Sequence, residues 1–233
     1  MAELIVGVIG GMGPDATIEL MQRVVSKTPA SDDQDHIHMI VDNNPKVPSR
    51  IKALLDGKGE DPTPVLVAMG QRLEQAGADF LVMPCNTAHN YWQALNDAVS
   101  IPMWNLVSLT LNAVQKELDE KPYKVGLLAS PALRKIGLYQ TWCDKYDFEL
   151  LHPKDESKQL EVIRAVKMGD QTDSQVEALN VLAAQLVSAG AQVIVLGCTE
   201  FSILYERISS VVPIVDGLEV LANEVVAACT KDS

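Results

Sequence analysis

Residues 75–87 read QAGADFLVMPCNT, and residues 188–200 read SAGAQVIVLGCTE. In each, Ala-Gly-Ala closes a helical stretch, an apolar run follows, and a cysteine stands nine residues after the first alanine. The two copies are 113 residues apart. Glycine is a common helix stop, because it takes the left-handed conformation without a Cβ penalty. A short apolar run bounded by turn residues fits a buried strand. Cys85 and Cys198 therefore fall at the carboxyl ends of two equivalent strands.

Further matches extend the repeat. VGVIG at 6–10 resembles VGLLA at 125–129, offset 119, and Ile101-Pro102 resembles Val212-Pro213, offset 111. Matches in the same order, with the small drifts that loop insertions produce, indicate a duplicated unit. In the first half the strand-like LIVGVIG, HIHMIV and DFLVMP alternate with the helical ATIELMQRVV, PVLVAMGQRLEQAG and TAHNYWQALNDAV. The second half runs KVGLLAS, LRKIGLYQTWCDKY, FELLHP, a long helix through VEALNVLAAQLVSAG, then QVIVLG. Such alternation implies parallel sheets covered on both faces, joined by right-handed crossovers.

The expected fold is thus α/β with two pseudo-symmetric lobes, each a parallel β-sheet flanked by helices, and an active site in the cleft between them. Residues 1–105 plus 214–233 form the lobe carrying Cys85, and residues 106–213 the lobe carrying Cys198. The tail from Ile214, with the helical LEVLANEVVAACT, is expected back on the first lobe. DEKPYK at 119–124 reads as a solvated linker.

With 233 residues the chain can bury a core without disulfides or metals. Its net charge of −12 disfavours nucleic acid and anionic membranes as partners. MAELIVGVIGGMGP has no basic segment and breaks at glycines, so it reads as a strand and not as a signal peptide. No apolar run reaches the length of a membrane span. The expected compartment is the cytoplasm, where the four cysteines stay reduced. They form no C-x-x-C pair, and His36, His38 and His152 have no metal spacing, so no metal is expected. Cys143 and Cys229 lie in helical stretches and read as core residues.

In parallel sheets ligands bind outside the carboxyl ends of the strands. Asn86 and Thr87 follow the first cysteine, Thr199 and Glu200 the second, and all four start helices. Free N–H groups at such positions bind carboxylates and lower a thiol's pKa. One cysteine from each lobe suits removal of a proton from one face of a carbon and its return on the other. Asn86, Thr87 and Thr199 equally suit helix caps. His89 and Glu200 stand near the cysteines and can orient a thiol, tune it, or simply lie on the surface. Gly11-x-Gly13-x-x-Ala16 fits a dinucleotide fingerprint, but the acidic residue expected about twenty positions on is displaced to Asp42. Met12 and Gly13 read instead as backbone beside the ligand.

With MPCNTAH at 83–89, LGCTEF at 196–201 and GVIGGMGP at 7–14, the chain resembles the aspartate/glutamate racemase family over nearly its whole length. The resemblance implies racemisation of a small acidic amino acid, with Cys85 and Cys198 as the two acid/base groups. It implies no pyridoxal phosphate, no other cofactor and no metal, in a homodimer. Ala88-His89 after the first Cys-Asn-Thr, and Glu200 after the second Cys-Thr, are similar to aspartate racemases; glutamate racemases usually carry histidine where Glu200 stands. Arg50, in VPSRIKALLDGKGEDP, and Lys167, in AVKMGD, match basic residues that by resemblance hold the substrate's side-chain carboxylate. On their own, Arg50 reads as a residue of a solvated turn and Lys167 as a complement to a helix dipole.

One departure stands out. Aspartate racemases usually continue after Leu-Leu-Ala with Thr and then Gly-Thr, whereas residues 128–133 here read LASPAL. Ser130 supplies one hydroxyl and Pro131 removes an N–H, which changes what a pocket can hydrogen-bond. The expected site comprises Cys85 and Cys198 as catalytic groups, with Met12, Gly13, Arg50, Asn86, Thr87, Ala88, Ser130, Lys167, Thr199 and Glu200 around the substrate. The expected activity is interconversion of L- and D-aspartate. The alternatives are a superfamily member acting on glutamate or another dicarboxylate, of maleate isomerase-like or hydantoin racemase-like kind, and a noncatalytic small-ligand or nucleotide-binding protein.

Overall fold

The computed structural model describes residues 3–56, 58–118 and 123–230. Residues 119–122 of the expected linker lie outside the described residues. The chain divides into two units, Met1–Leu106 with Leu218–Ser233, and Val107–Gly217.

The first unit is built on β1 (Val6–Gly10), all of it buried. Then follow α1 (Pro14–Lys27), β2 (Met39–Asn43), α2 (Thr63–Gln75), β3 (Phe80–Val82) and α3 (Trp92–Ala98). The strands form a parallel sheet in the order β2-β1-β3, extended by a parallel bridge between Leu81 and Met103. α1 starts at a proline, which is pre-set for a helix's first turn, and buries Ala16, Leu20 and Val24 on one stripe.

The second unit comprises α4 (Leu106–Glu117), β4 (Tyr123–Ala129), α5 (Pro131–Lys135), α6 (Leu138–Tyr146) and β5 (Phe148–Leu151). It continues with α7 (Glu156–Lys167), α8 (Asp173–Ser188), β6 (Val193–Gly197), α9 (Thr199–Ser202) and β7 (Ile214–Asp216). Its sheet is parallel throughout, in the order β5-β4-β6-β7. α10 (Gly217–Thr230) returns the chain to the first unit, where Glu219 pairs with Arg23 and Lys27 of α1 at 3.3 and 2.5 Å.

The duplication read from the sequence is present bond for bond. Gly77 and Gly190 close α2 and α8 with φ of +98° and +99°. The next residues donate back to equivalent carbonyls, Ala78 to Leu73 at 3.1 Å and Ala191 to Leu186 at 3.0 Å. Ile5 N–H donates to the Asp79 side chain at 2.7 Å, and Lys124 N–H to the Gln192 side chain at 2.8 Å. Leu81 N–H reaches Pro102 O at 2.8 Å, and Ile194 N–H reaches Pro213 O at 2.9 Å. Under each helix end lies a glycine of the central strand. A Cβ on Gly7 would stand 2.9 Å from Ala78 Cβ, and one on Gly126 would stand 3.1 Å from Ala191 Cβ.

The structure departs from the sequence reading in four places. The segment TAHNYWQALNDAV opens with a 3-10 turn, Thr87–Tyr91, before α3. The His89 ring occupies the Cys85 carbonyl that an α-helical bond from His89 N–H would use, and that N–H goes to Asn86 O instead. The expected helix LRKIGLYQTWCDKY breaks into α5 and α6 at Gly137, which has φ +66°. The expected long helix resolves into α7 and α8. The return to the first unit comes at Leu218 and not at Ile214, because Ile214–Asp216 pairs with β6. Among the described residues no helix is long and apolar enough to cross a membrane.

The contact at Gly126 predicts that Gly126→Val destabilises the protein. A loss of about 1–3 kcal/mol of unfolding free energy, the usual cost of overpacking a tight core, is expected, read as a lower urea midpoint.

Candidate functional site

In the first unit the expected site residues lie past the carboxyl ends of β1, β2 and β3. Cys85 lies three residues past β3, is 6% exposed, and belongs to the same apolar cluster as Met12, Met83 and Ala88. Its backbone is pinned by His89. Nε2 of His89 accepts from Leu106 N–H at 3.0 Å, so the ring proton sits on Nδ1 and donates to the Cys85 carbonyl at 2.9 Å. Burial pushes the imidazole pKa down to about 4 and keeps it neutral. Histidine here is a strut for the cysteine loop, with both ring nitrogens bonded to backbone groups.

The loop after β1 is held by Thr17. Its hydroxyl accepts from Gly11 N–H at 2.9 Å and donates to the Gly13 carbonyl at 3.3 Å. Asp42, the acidic residue weighed for a dinucleotide site, is paired with Arg72 at 2.6 Å. Arg50 is half-buried beyond β2. Its Nη1 donates to the carbonyls of Val47 and Pro48, and its Nε is buried without an acceptor. Asn86 is buried and Thr87 half-buried, both at the turn after Cys85. The Ala88 side chain lies in the core.

In the second unit Cys198 follows β6 directly and is again 6% exposed. Its thiol donates to Glu200 Oε2 at 2.9 Å. The other carboxylate oxygen of Glu200 lies 3.2 Å from Lys167 Nζ, in the last turn of α7. A thiol, a buried carboxylate and a half-exposed ammonium thus form one chain. Burial first, and the Glu200 charge second, push the Cys198 thiol well above the ordinary range, with Lys167 opposing. This corrects the expectation that the helix start lowers it. The helix after Cys198 is a single turn, Thr199–Ser202, with little dipole to offer, and burial, with a carboxylate two residues on, outweighs it.

Ser130 caps α5 by accepting from Ala132 N–H at 3.3 Å, and Thr199 is buried in the first turn of α9. Cys143 is fully buried, with its pKa pushed up to about 12, as suits a core thiol. Among the described residues no group of three His, Cys, Asp or Glu side chains is placed to hold a metal.

Sequence reasoning missed a buried polar cluster beside Cys198. Ser202 donates to Asp216 at the end of β7, and Tyr139 on α6 bonds Thr110 and lies within electrostatic reach of both Asp216 and Cys198. Burial holds the Tyr139 phenol neutral. The signal was available: Asp216 ends the apolar run in VPIVDG, at 212–217, where a third carboxyl strand end should be sought.

A sequence profile of the Asp/Glu/hydantoin racemases matches residues 9–225. The broad specificity amino-acid racemase RacX of Bacillus subtilis is 28% identical over 228 residues, 95% of this chain and 96% of its own. The structure of the Picrophilus torridus aspartate racemase matches with a TM-score of 0.83 at 28% identity, over 97% of this chain and 94% of that one. An aspartate racemase homologue from Pyrococcus horikoshii shares the fold, with a TM-score of 0.74 at 19% identity over 98% and 100% of the two chains.

The buried neutral His89 makes stability depend on pH. Its pKa falls from 6.5 to about 4 on folding, so the folded state refuses a proton that the unfolded chain takes. Its contribution is complete above pH 6.5 and is lost as pH falls towards about 4, on the order of 3 kcal/mol. Urea midpoints across that interval should fall less steeply in His89→Gln than in wild type.

Proposed function

Because the chain belongs to the Asp/Glu/hydantoin racemase family, we propose that it interconverts L- and D-aspartate by two-base proton transfer at the α-carbon, with Cys85 and Cys198 as the acid/base groups. The observation that carries this reading is the duplicated placement of the two thiols. Each follows the strand paired with the first strand of its unit, β3 beside β1 and β6 beside β4, and each is succeeded by polar residues opening a turn. One thiolate removes the α-proton, and the other thiol delivers a proton to the opposite face. Two chemically alike groups let the reaction run in both directions. Both roles are then filled by side chains, without pyridoxal phosphate.

Arg50 supports an acidic substrate. Its buried Nε has no acceptor, and an unsatisfied guanidinium donor is suited to a carboxylate, which it can grip through two parallel bonds. Lys167 meets Glu200 through one contact and keeps further N–H donors, so either cation can meet a carboxylate. Met12, Gly13, Asn86 and Thr87 of the first unit, and Ser130 and Thr199 of the second, are the further residues proposed to meet the substrate. A wider substrate range is the second reading, favoured by the likeness to a broad specificity racemase.

NMR in D₂O with L-aspartate tests the proposal. α-Deuterium incorporation and D-aspartate formation are expected, with both falling by a factor of about 10²–10⁴ in Cys85→Ser and in Cys198→Ser. Arg50→Ala should raise the KM for aspartate about tenfold or more. Exchange on glutamate or a neutral amino acid, but none on aspartate, would overturn the assignment of substrate.

A further inference from the structure

The two thiols occupy equivalent places but have unlike neighbours. Cys85 sits in an apolar cluster, and among the described residues no carboxylate or amine hydrogen-bonds its sulfur. Cys198 donates to Glu200, and Glu200 is held by Lys167. The charged and titratable groups facing Cys198 in its unit are Glu200 on α9, Lys167 on α7 and the phenol of Tyr139 on α6; Asp216 on β7 is turned to Ser202 and Tyr139. The side chain of Glu200 is 10% exposed, so its charge acts through little water, whereas that of Lys167 is 42% exposed.

We propose, resting on the two-thiol reading above, that Glu200 is a positioning residue that holds the proton on the Cys198 sulfur in the unliganded protein, and that Lys167 sets how firmly it does so. Glu200 accepts the S–H bond and would repel a thiolate at the same place. For the enantiomer whose α-hydrogen faces Cys85, Cys198 is therefore the acid and Cys85 the base; the opposite enantiomer is met with the roles exchanged. The Cys85 thiolate forms an S–H bond with the α-proton as the Cα–H bond breaks and its electron pair stays on carbon. The Cys198 S–H bond then breaks, its proton goes to the opposite face of that carbon, and its electron pair stays on sulfur. The new thiolate beside Glu200 regains a proton from solvent as Cys85 releases one, and the starting state returns.

The two partners of this chain act on Cys198 with opposite sign, which separates an electrostatic role from a merely structural one. The experiment is site-resolved alkylation by iodoacetamide, read by mass spectrometry on tryptic peptides over a range of pH, with Cys143 reporting any general opening. Only the thiolate reacts. Glu200→Gln should label Cys198 about tenfold faster near neutral pH, and the pH of half-maximal rate should fall. Lys167→Met, a change at a half-exposed position, should label it more slowly and raise that pH. Glu200→Asp should restore the wild-type order. Unchanged labelling in Glu200→Gln, or faster labelling in both variants together with Cys143, would overturn the proposal. Aspartate exchange is measured separately. Active exchange with the wrong labelling signs removes this inference alone, and correct signs with no exchange on any amino acid remove the racemase reading alone.

Discussion

At Gly7 and at Gly126 a helix end rests on the backbone of a central strand. No side chain fits there: a Cβ would meet Ala78 and Leu73 in one unit, Ala191 and Leu186 in the other. Because interiors are packed to near-crystalline density, such a contact admits little slack. It sets where α2 and α8 stop, and the left-handed Gly77 and Gly190 then turn each chain directly into the neighbouring strand. Strand register follows, with Ile5 and Lys124 donating to the side chains that begin those strands. The position of each cysteine is a consequence of this, since a short strand of fixed register has one place to end.

On that common scaffold the two ends have diverged in charge. The Cys85 loop is braced by a neutral histidine whose ring nitrogens bond to backbone groups, an arrangement that shapes the loop without adding a charge. The Cys198 end carries a carboxylate within hydrogen-bond distance of sulfur and an ammonium beyond it. Identical thiols in unlike fields differ in proton affinity, because burial and neighbouring charge decide how readily each holds its proton.

Much of the fold was legible in the sequence because its signals are local. Apolar runs of strand length, glycine stops and helical spacing each act over a few residues. Where the reading failed, a contact from elsewhere intervened. Nothing in TAHNYWQALNDAV shows that the His89 ring will take the Cys85 carbonyl, so the 3-10 turn was hidden. Ile214–Asp216 joined the second sheet because β6 has an open edge, a property of the assembled sheet and not of the segment. For the proposed site, the cysteines and Arg50 could be picked out by position and motif. The bond from Cys198 to Glu200 could not be weighed in advance, and the helix-terminus argument pointed the thiol's acidity the wrong way.

By itself the sequence determined the duplication, the α/β class, the family and the two thiols at strand ends, since each rests on residue types at fixed spacings along the chain. Only the tertiary structure decided which of these groups are charged partners and which are struts. It brings Lys167 to Glu200 across 33 positions of sequence and folds the Glu200 side chain back onto Cys198. Proton affinity depends on burial and on charges a few ångströms away, and neither is a property of a residue until the chain has folded around it.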